Sequence, residues 1–236
     1  MSSLQEDLLL LGNRDASMLS SAEIDTKIET TMTKMFTRVG TMLILAFGVA
    51  FGISSGYLPI PFTMLWFRIA TIWWFGLIMR VSRRWQTMSY QTLSGALIAF
   101  SLLEWYGLTG VFASYGLGSI QQVFLTTSLL FIWLAAAGNY LSVDISKVGS
   151  ILSVSLIALI VAMLINMFRW NEQFNIWISI IGVVIFSGLI IYDMNVLKQQ
   201  ALVADERLPL LMAMSMFLNF INLFLFLLRL MWGSRD

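Results

Sequence analysis

The chain has 236 residues, of which 58% are hydrophobic and only 11% charged, whereas a soluble domain carries about 25% charge. Lys and Arg number 14 against 13 Asp and Glu, a net charge of +1, so there is no field to draw in a polyanion; a soluble globular enzyme, a disordered chain and a nucleic-acid binder are all excluded. The sequence contains no Cys and no His, which removes disulfides, thiolate chemistry and every imidazole base or ligand.

The first 35 residues are polar, and the apolar run at 8–11 is too short for a signal-peptide core. Ser20-x-x-Glu23 is a capping box. Ile24, Ile28, Met32 and Met35 follow at helical spacing. This predicts a short amphipathic helix on the cytoplasmic membrane surface, leading into the first span; residues 1–19 read equally as a loose polar tail. The organisation expected is a cytoplasmic segment over 1–35, a transmembrane domain over 36–232 and a short external tail over 233–236.

Crossing a hydrocarbon core about 30 Å thick takes about 20 mostly apolar residues. Seven runs qualify, at 39–58, 60–79, 90–113, 120–141, 148–168, 174–196 and 208–232. Inside lipid the backbone must bond to itself, so each is read as a helix. The fold class is therefore an all-α integral membrane protein, a bundle of seven transmembrane helices. In the first span Gly48-x-x-x-Gly52-x-x-x-Gly56 reads as a small-residue surface for close helix packing. Lys and Arg set the orientation. With the N-terminus inside, the inner segments hold ten (Arg14, Lys27, Lys34, Arg38, Arg80, Arg83, Arg84, Lys147, Lys198 and Arg207) and the outer segments three (Arg169, Arg229 and Arg235). A chain of this length without a targeting extension favours a bacterial cytoplasmic membrane.

Ionisable groups at membrane depth are costly and seek partners. Asp193 lies about 27 Å along its helix from Asn175, close to the cytoplasmic end. There a carboxylate opposes the helix dipole and calls for a cation or a donor. Asn219 on the last span falls at a matching level, and Arg80 ends the second span on the same side. A cluster of Asp193, Asn219 and Arg80 is expected; the alternative is an interfacial Asp reaching for water alone. On the outer side Arg68 and Glu104 lie at matching depths, with Arg229 near the outer end of the last span. Glu104 is expected to pair with Arg68, Arg229 or both; the alternative is that Arg68 reaches outward by itself. Asn219, Asn222, Phe226 and Arg229 share one face of the last helix. A polar face on so apolar a helix points into protein, which predicts that the seventh helix is central.

The stretch Leu218-Asn219-Phe220-Ile221-Asn222-Leu223-Phe224-Leu225-Phe226-Leu227-Leu228-Arg229 resembles the signature of the Bax inhibitor-1 family, also called the transmembrane Bax inhibitor motif family. Ile181-Gly182-Val183-Val184-Ile185-Phe186-Ser187-Gly188-Leu189-Ile190-Ile191-Tyr192-Asp193 is similar to that family's sixth helix. Leu108-Thr109-Gly110, Ser119-Ile120 and Val143-Asp144-Ile145-Ser146 fit its middle region, so the resemblance covers roughly 36–232. It implies six helices around a central seventh, a pH-sensitive calcium leak, and protection against cell death and stress in eukaryotes. It also implies a pore closed by two aspartates, one each on the sixth and seventh helices, latched by a basic residue that ends the second. On this chain the first aspartate is Asp193, the latch is Arg80 and the seventh-helix arginine is Arg229.

The departures from the pattern are informative. The seventh-helix aspartate is here Asn219. The acid that bacterial relatives often carry on the second helix is missing from 60–79, where Arg68 stands instead. Two close carboxylates share a proton and titrate as a coupled pair. An Asp–Asn pair needs no shared proton, so any leak is expected to depend less on pH.

The leading expectation is a calcium-permeable leak channel or ion-homeostasis protein. Asp193 and the carbonyls of Asn219 and Asn222 would offer hard oxygens to calcium in transit, with no resident cofactor. The second is a structural or regulatory protein acting through other integral membrane proteins, such as a membrane protease. Tyr192-Asp193 resembles the first motif of intramembrane aspartic proteases. Those enzymes need a second membrane aspartate, which no other predicted span holds, so no enzymatic activity is expected.

Overall fold

The computed structural model describes residues 20–57, 87–169, 172–202 and 205–232, with single positions at 73, 76–77, 80–81 and 84. Among the described residues there is no strand, and the long helices are α1 (Ser21–Ser54), α2 (Tyr90–Ser114), α3 (Leu117–Tyr140), α4 (Ile145–Arg169), α5 (Glu172–Gln200) and α6 (Leu208–Trp232). All six are long and apolar enough to cross a membrane. They correspond to six of the seven predicted spans. The other, at 60–79, lies almost wholly outside the described residues, as do Arg68, Arg14, Arg83, Arg235, the tail at 1–19 and the tail at 233–236.

The chain divides into two compact units, Met1–Leu117 with Val203–Met214, and Gly118–Leu202 with Ser215–Asp236. In the first unit α1 packs on α2. The helix starts where the capping box predicts. Ser20 Oγ accepts from the Glu23 N–H at 3.4 Å, and a Glu23 carboxylate oxygen accepts from the Ser20 N–H at 2.8 Å. The amphipathic leader and the first span form a single helix of 34 residues with no break at position 35. At 1.5 Å per residue it is about 51 Å long, well beyond the roughly 30 Å slab.

Met35, Val39, Met42, Ala46 and Ala50 make the buried stripe of α1. Leu93, Leu97, Phe100 and Leu108 are buried on α2. Of the glycine motif of α1, Gly52 is buried. A Cβ on Gly48 or Gly56 would meet nothing within 4 Å among the described residues. The small buried residues on α1 are Ala46, Ala50 and Gly52. Gly56 serves the helix end, with φ +75°, a left-handed conformation that glycine adopts without steric cost.

In the second unit α4 packs on α5. Asp144 starts α4 by accepting from the Ser146 and Lys147 N–H groups at 3.1 and 3.2 Å. The apolar stretch of α4 is only 6% buried, with Ile151, Val154, Ile157 and Leu164 exposed. In water that surface would be untenable; against acyl chains it costs nothing.

Glycines set the close approaches of this unit. A Cβ on Gly138 of α3 would lie 2.9 Å from Met194 Cβ and 3.0 Å from Ile191 Cα, both on α5. A Cβ on Gly182 of α5 would lie 2.6 Å from the Phe226 ring of α6. Phe220 of α6 packs edge-on to Phe124 and Phe131 of α3, with centroids 5.6 and 5.5 Å apart. The apolar window of α6 is 67% buried, more than that of any other described span.

Candidate functional site: a buried carboxylate between α5 and α6

Asp193 sits on the buried side of α5 among Ile190, Met194 and Leu197, and is 7% exposed. It faces α6 because the Gly182–Phe226 approach, with the Phe186 ring tilted against Phe226 at 5.9 Å, brings the two helices together. On α6, Phe220 and Phe224 are directed to α3, where both pack on Phe124. Residues 215, 219, 222 and 226 occupy the neighbouring face by helical periodicity.

Asn219, itself 5% exposed, donates its amide to Asp193 Oδ2 at 2.8 Å. Ser215, one turn earlier, donates its hydroxyl to the same oxygen at 2.6 Å. Two neutral donors thus converge on one carboxylate oxygen near the C-terminal end of α5, where the helix dipole disfavours negative charge. Buried polar groups are costly unless hydrogen-bonded, and these two bonds are what offset the burial of Asp193.

Of the other expected residues, Asn222 and Arg229 make contacts within their own helix. Asn222 lies on the same face but turns its amide onto its own helix, donating to the Leu218 carbonyl at 2.8 Å. Arg229 holds its guanidinium over the Phe226 ring, 5.7 Å from the centroid, a cation–π contact within α6. Arg80 belongs to the first unit, where it is exposed. Glu104 is half-buried on α2 in the same unit and is not a free group. Arg68 lies outside the described residues.

Sequence reasoning missed Ser215, Asn195 and Lys198. The signal for Ser215 was its position four residues before Asn219, which puts a second donor on the same face. Asn195 is two residues past Asp193 and so points to the opposite side of α5, toward α3. It is 2% exposed, donates to the carbonyls of Gly138 at 3.1 Å and Ile191 at 2.9 Å, and accepts from the Val143 N–H at 3.3 Å. Lys198 donates to the carbonyls of Asn139 at 2.7 Å and Leu141 at 3.2 Å. Both satisfy carbonyls that the end of α3 leaves without helical partners.

In the first unit the loop before α6 is held by Arg207. Its Nε donates to Asp205 Oδ2 at 2.6 Å, its backbone N–H to Oδ1 at 2.8 Å, and its Nη1 to the Met88 carbonyl at 3.2 Å. The Arg207 hydrogen bonds hold the Asp205 carboxyl below the usual carboxylate range.

Six long apolar helices and a buried carboxyl group hydrogen-bonded by two neutral donors define a multi-pass helical membrane protein. The sequence profile of the family described as Inhibitor of apoptosis-promoting Bax1 matches residues 28–236. The chain belongs to this family, the Bax inhibitor-1 family. An uncharacterised protein of Borreliella burgdorferi is 34% identical over 168 residues, covering 69% of this chain and 72% of that protein. The Inner membrane protein YbhL of Escherichia coli K12 is 31% identical over 166 residues, 67% of this chain and 70% of YbhL. A Deinococcus radiodurans protein is 28% identical over 194 residues, with 80% and 79% covered.

Proposed function

We propose that this protein is a calcium-permeable leak pathway or ion-homeostasis protein of a bacterial cytoplasmic membrane, gated at Asp193. The observation that carries the reading is the buried carboxylate of Asp193 held on one oxygen by Ser215 and Asn219. Calcium, the cargo, takes hard oxygen ligands. A conducting site must bind it weakly enough to let go. A single carboxylate beside amide and hydroxyl oxygens suits transit better than storage. The reading includes a seventh span over 60–79, the last helix at the centre, a cytoplasmic N-terminus and Arg80 as a latch. It includes no catalysis.

Because position 219 is an amide, the pair lacks the shared proton of two carboxylates, and gating is only weakly pH-dependent. The test is calcium flux into proteoliposomes across a pH series for the parent, Asp193→Ala and Asn219→Asp. The parent is expected to leak with a shallow pH profile. Asp193→Ala loses most of the flux, and Asn219→Asp acquires a steep profile. Steep gating in the parent that Asn219→Asp leaves unchanged would remove the gate. Absence of flux at every pH would favour the regulatory reading, in which the protein acts through other integral membrane proteins; the altered polar positions 219 and 68 are what keep that reading in play.

A further inference from the structure

A cleft of about 410 Å³ in the first unit is lined by α1, the start of α2 and the start of α6. We propose that it binds the phosphate-bearing headgroup of an anionic phospholipid. Lys34 and Arg38 stand one turn apart on the same face of α1, and both line the cleft. Arg38 is the last charged residue before the apolar run from 39 to 67. The cleft therefore lies at the level where α1 passes from headgroups into hydrocarbon. Tyr90, the first residue of α2, is at that same level, as tyrosines at membrane interfaces are. Its hydroxyl accepts from Arg38 Nη2 at 2.8 Å, which steadies the guanidinium at the cleft and leaves its other donors for an anion.

Charge and shape agree with an amphiphile. Among the described residues neither Lys34 nor Arg38 is in an ion pair. Glu206 is the acid that lines the cleft, so two cations face one carboxylate. Pro209 and Leu210, buried at the start of α6, give an apolar wall for the glycerol and upper acyl carbons. The volume is in the range of small-ligand pockets, roughly 300–1,000 Å³. A basic pocket between spans at the surface of the bilayer is the arrangement that retains anionic headgroups. A lipid seated there would tie the ends of three helices together.

The test is lipid binding to the purified full-length protein in detergent, read by native mass spectrometry with phosphatidylglycerol and with phosphatidylcholine. The parent is expected to prefer phosphatidylglycerol by roughly tenfold or more, as two interfacial cations provide. K34Q/R38Q abolishes the preference. Tyr90→Phe, which keeps both charges, weakens it partly and serves if the double variant is unstable. Glu206→Gln strengthens phosphatidylglycerol binding, a gain that a purely structural role for Glu206 would not produce. Lys147→Gln, exposed and outside the cleft, changes nothing. Equal binding of the two lipids by the parent, or an unchanged preference in K34Q/R38Q, overturns the proposal. So does an equal loss in Lys147→Gln, which would indicate unspecific charge. Displacement of the lipid by millimolar inorganic phosphate also overturns it, because the site would then be one for a soluble anion.

Discussion

Asn219 donates its amide N–H to Oδ2 of Asp193 at 2.8 Å, and the same oxygen takes the Ser215 hydroxyl at 2.6 Å. Donors that share one acceptor atom are coupled, so their removal should not be additive. Ser215→Ala and Asn219→Ala are each expected to cost about 1–3 kcal/mol of stability. Their double variant should depart from the sum by at least about 0.5 kcal/mol. Unfolding titrations in mixed micelles measure this; strict additivity would mean that the two donors act independently.

The same clamp separates release of the carboxylate from its removal. If Asp193 is held back from the ion path by these bonds, Ser215→Ala should raise calcium flux, by roughly tenfold for the loss of one bond to a charged group. Asp193→Ala should lower it. Flux that moves in the same direction for both variants contradicts the assignment.

Two glycines make a contrasting pair. Gly182→Ala places a methyl 2.6 Å from the Phe226 ring, a side chain that can be trimmed. The expected cost is about 1–3 kcal/mol, and Phe226→Leu should recover part of it. Gly138→Ala meets Met194 Cβ at 2.9 Å and the Ile191 backbone at 3.0 Å. No side-chain trimming removes those atoms, so Met194→Ala should give no rescue. Thermal denaturation of the four variants in detergent checks the asymmetry.

The end of α3 depends on α5 for its hydrogen bonds. Asn195→Ala leaves the Gly138 carbonyl and the Val143 N–H without their side-chain partner, in a largely buried place, at an expected cost of about 2–3 kcal/mol. Lys198→Gln touches two carbonyls that water reaches and should cost less than about 1 kcal/mol. A larger loss for Lys198→Gln than for Asn195→Ala would reverse this account.

Asp205 supplies a pH test outside the membrane. Its carboxyl is held below the ordinary value of 3.8 by the Arg207 hydrogen bonds. A depressed folded-state pKa means that the contact contributes stability above that value and loses it as pH falls through the folded one. Amide exchange protection at Leu208, Leu210 and Leu211 should therefore hold at neutral pH and fall below about pH 4. Asp205→Asn should flatten the change, and a profile identical in both proteins would show that the loop does not depend on this pair.

Most of the helices were legible because lipid imposes a length and forbids unpaired backbone, so an apolar run of sufficient length has one solution. The capping box at Ser20 was legible because caps are local chemistry. The Asp193–Asn219 contact was half legible. Rise per residue put the two groups at one level, but level alone does not say which faces meet. Asn222 shows the gap: it shares the face of Asn219, yet its amide bonds its own helix.

The residues alone determined a lipid-embedded all-helical chain, its family and the scarcity of charge at depth, since these follow from composition, run length and local motif. Folding in three dimensions decided that Ser215 joins the carboxylate and that Gly138 and Gly182 set the helix approaches. The reason is that periodicity defines the faces of each helix separately. Which faces meet depends on how side chains from segments far apart in sequence fit against one another.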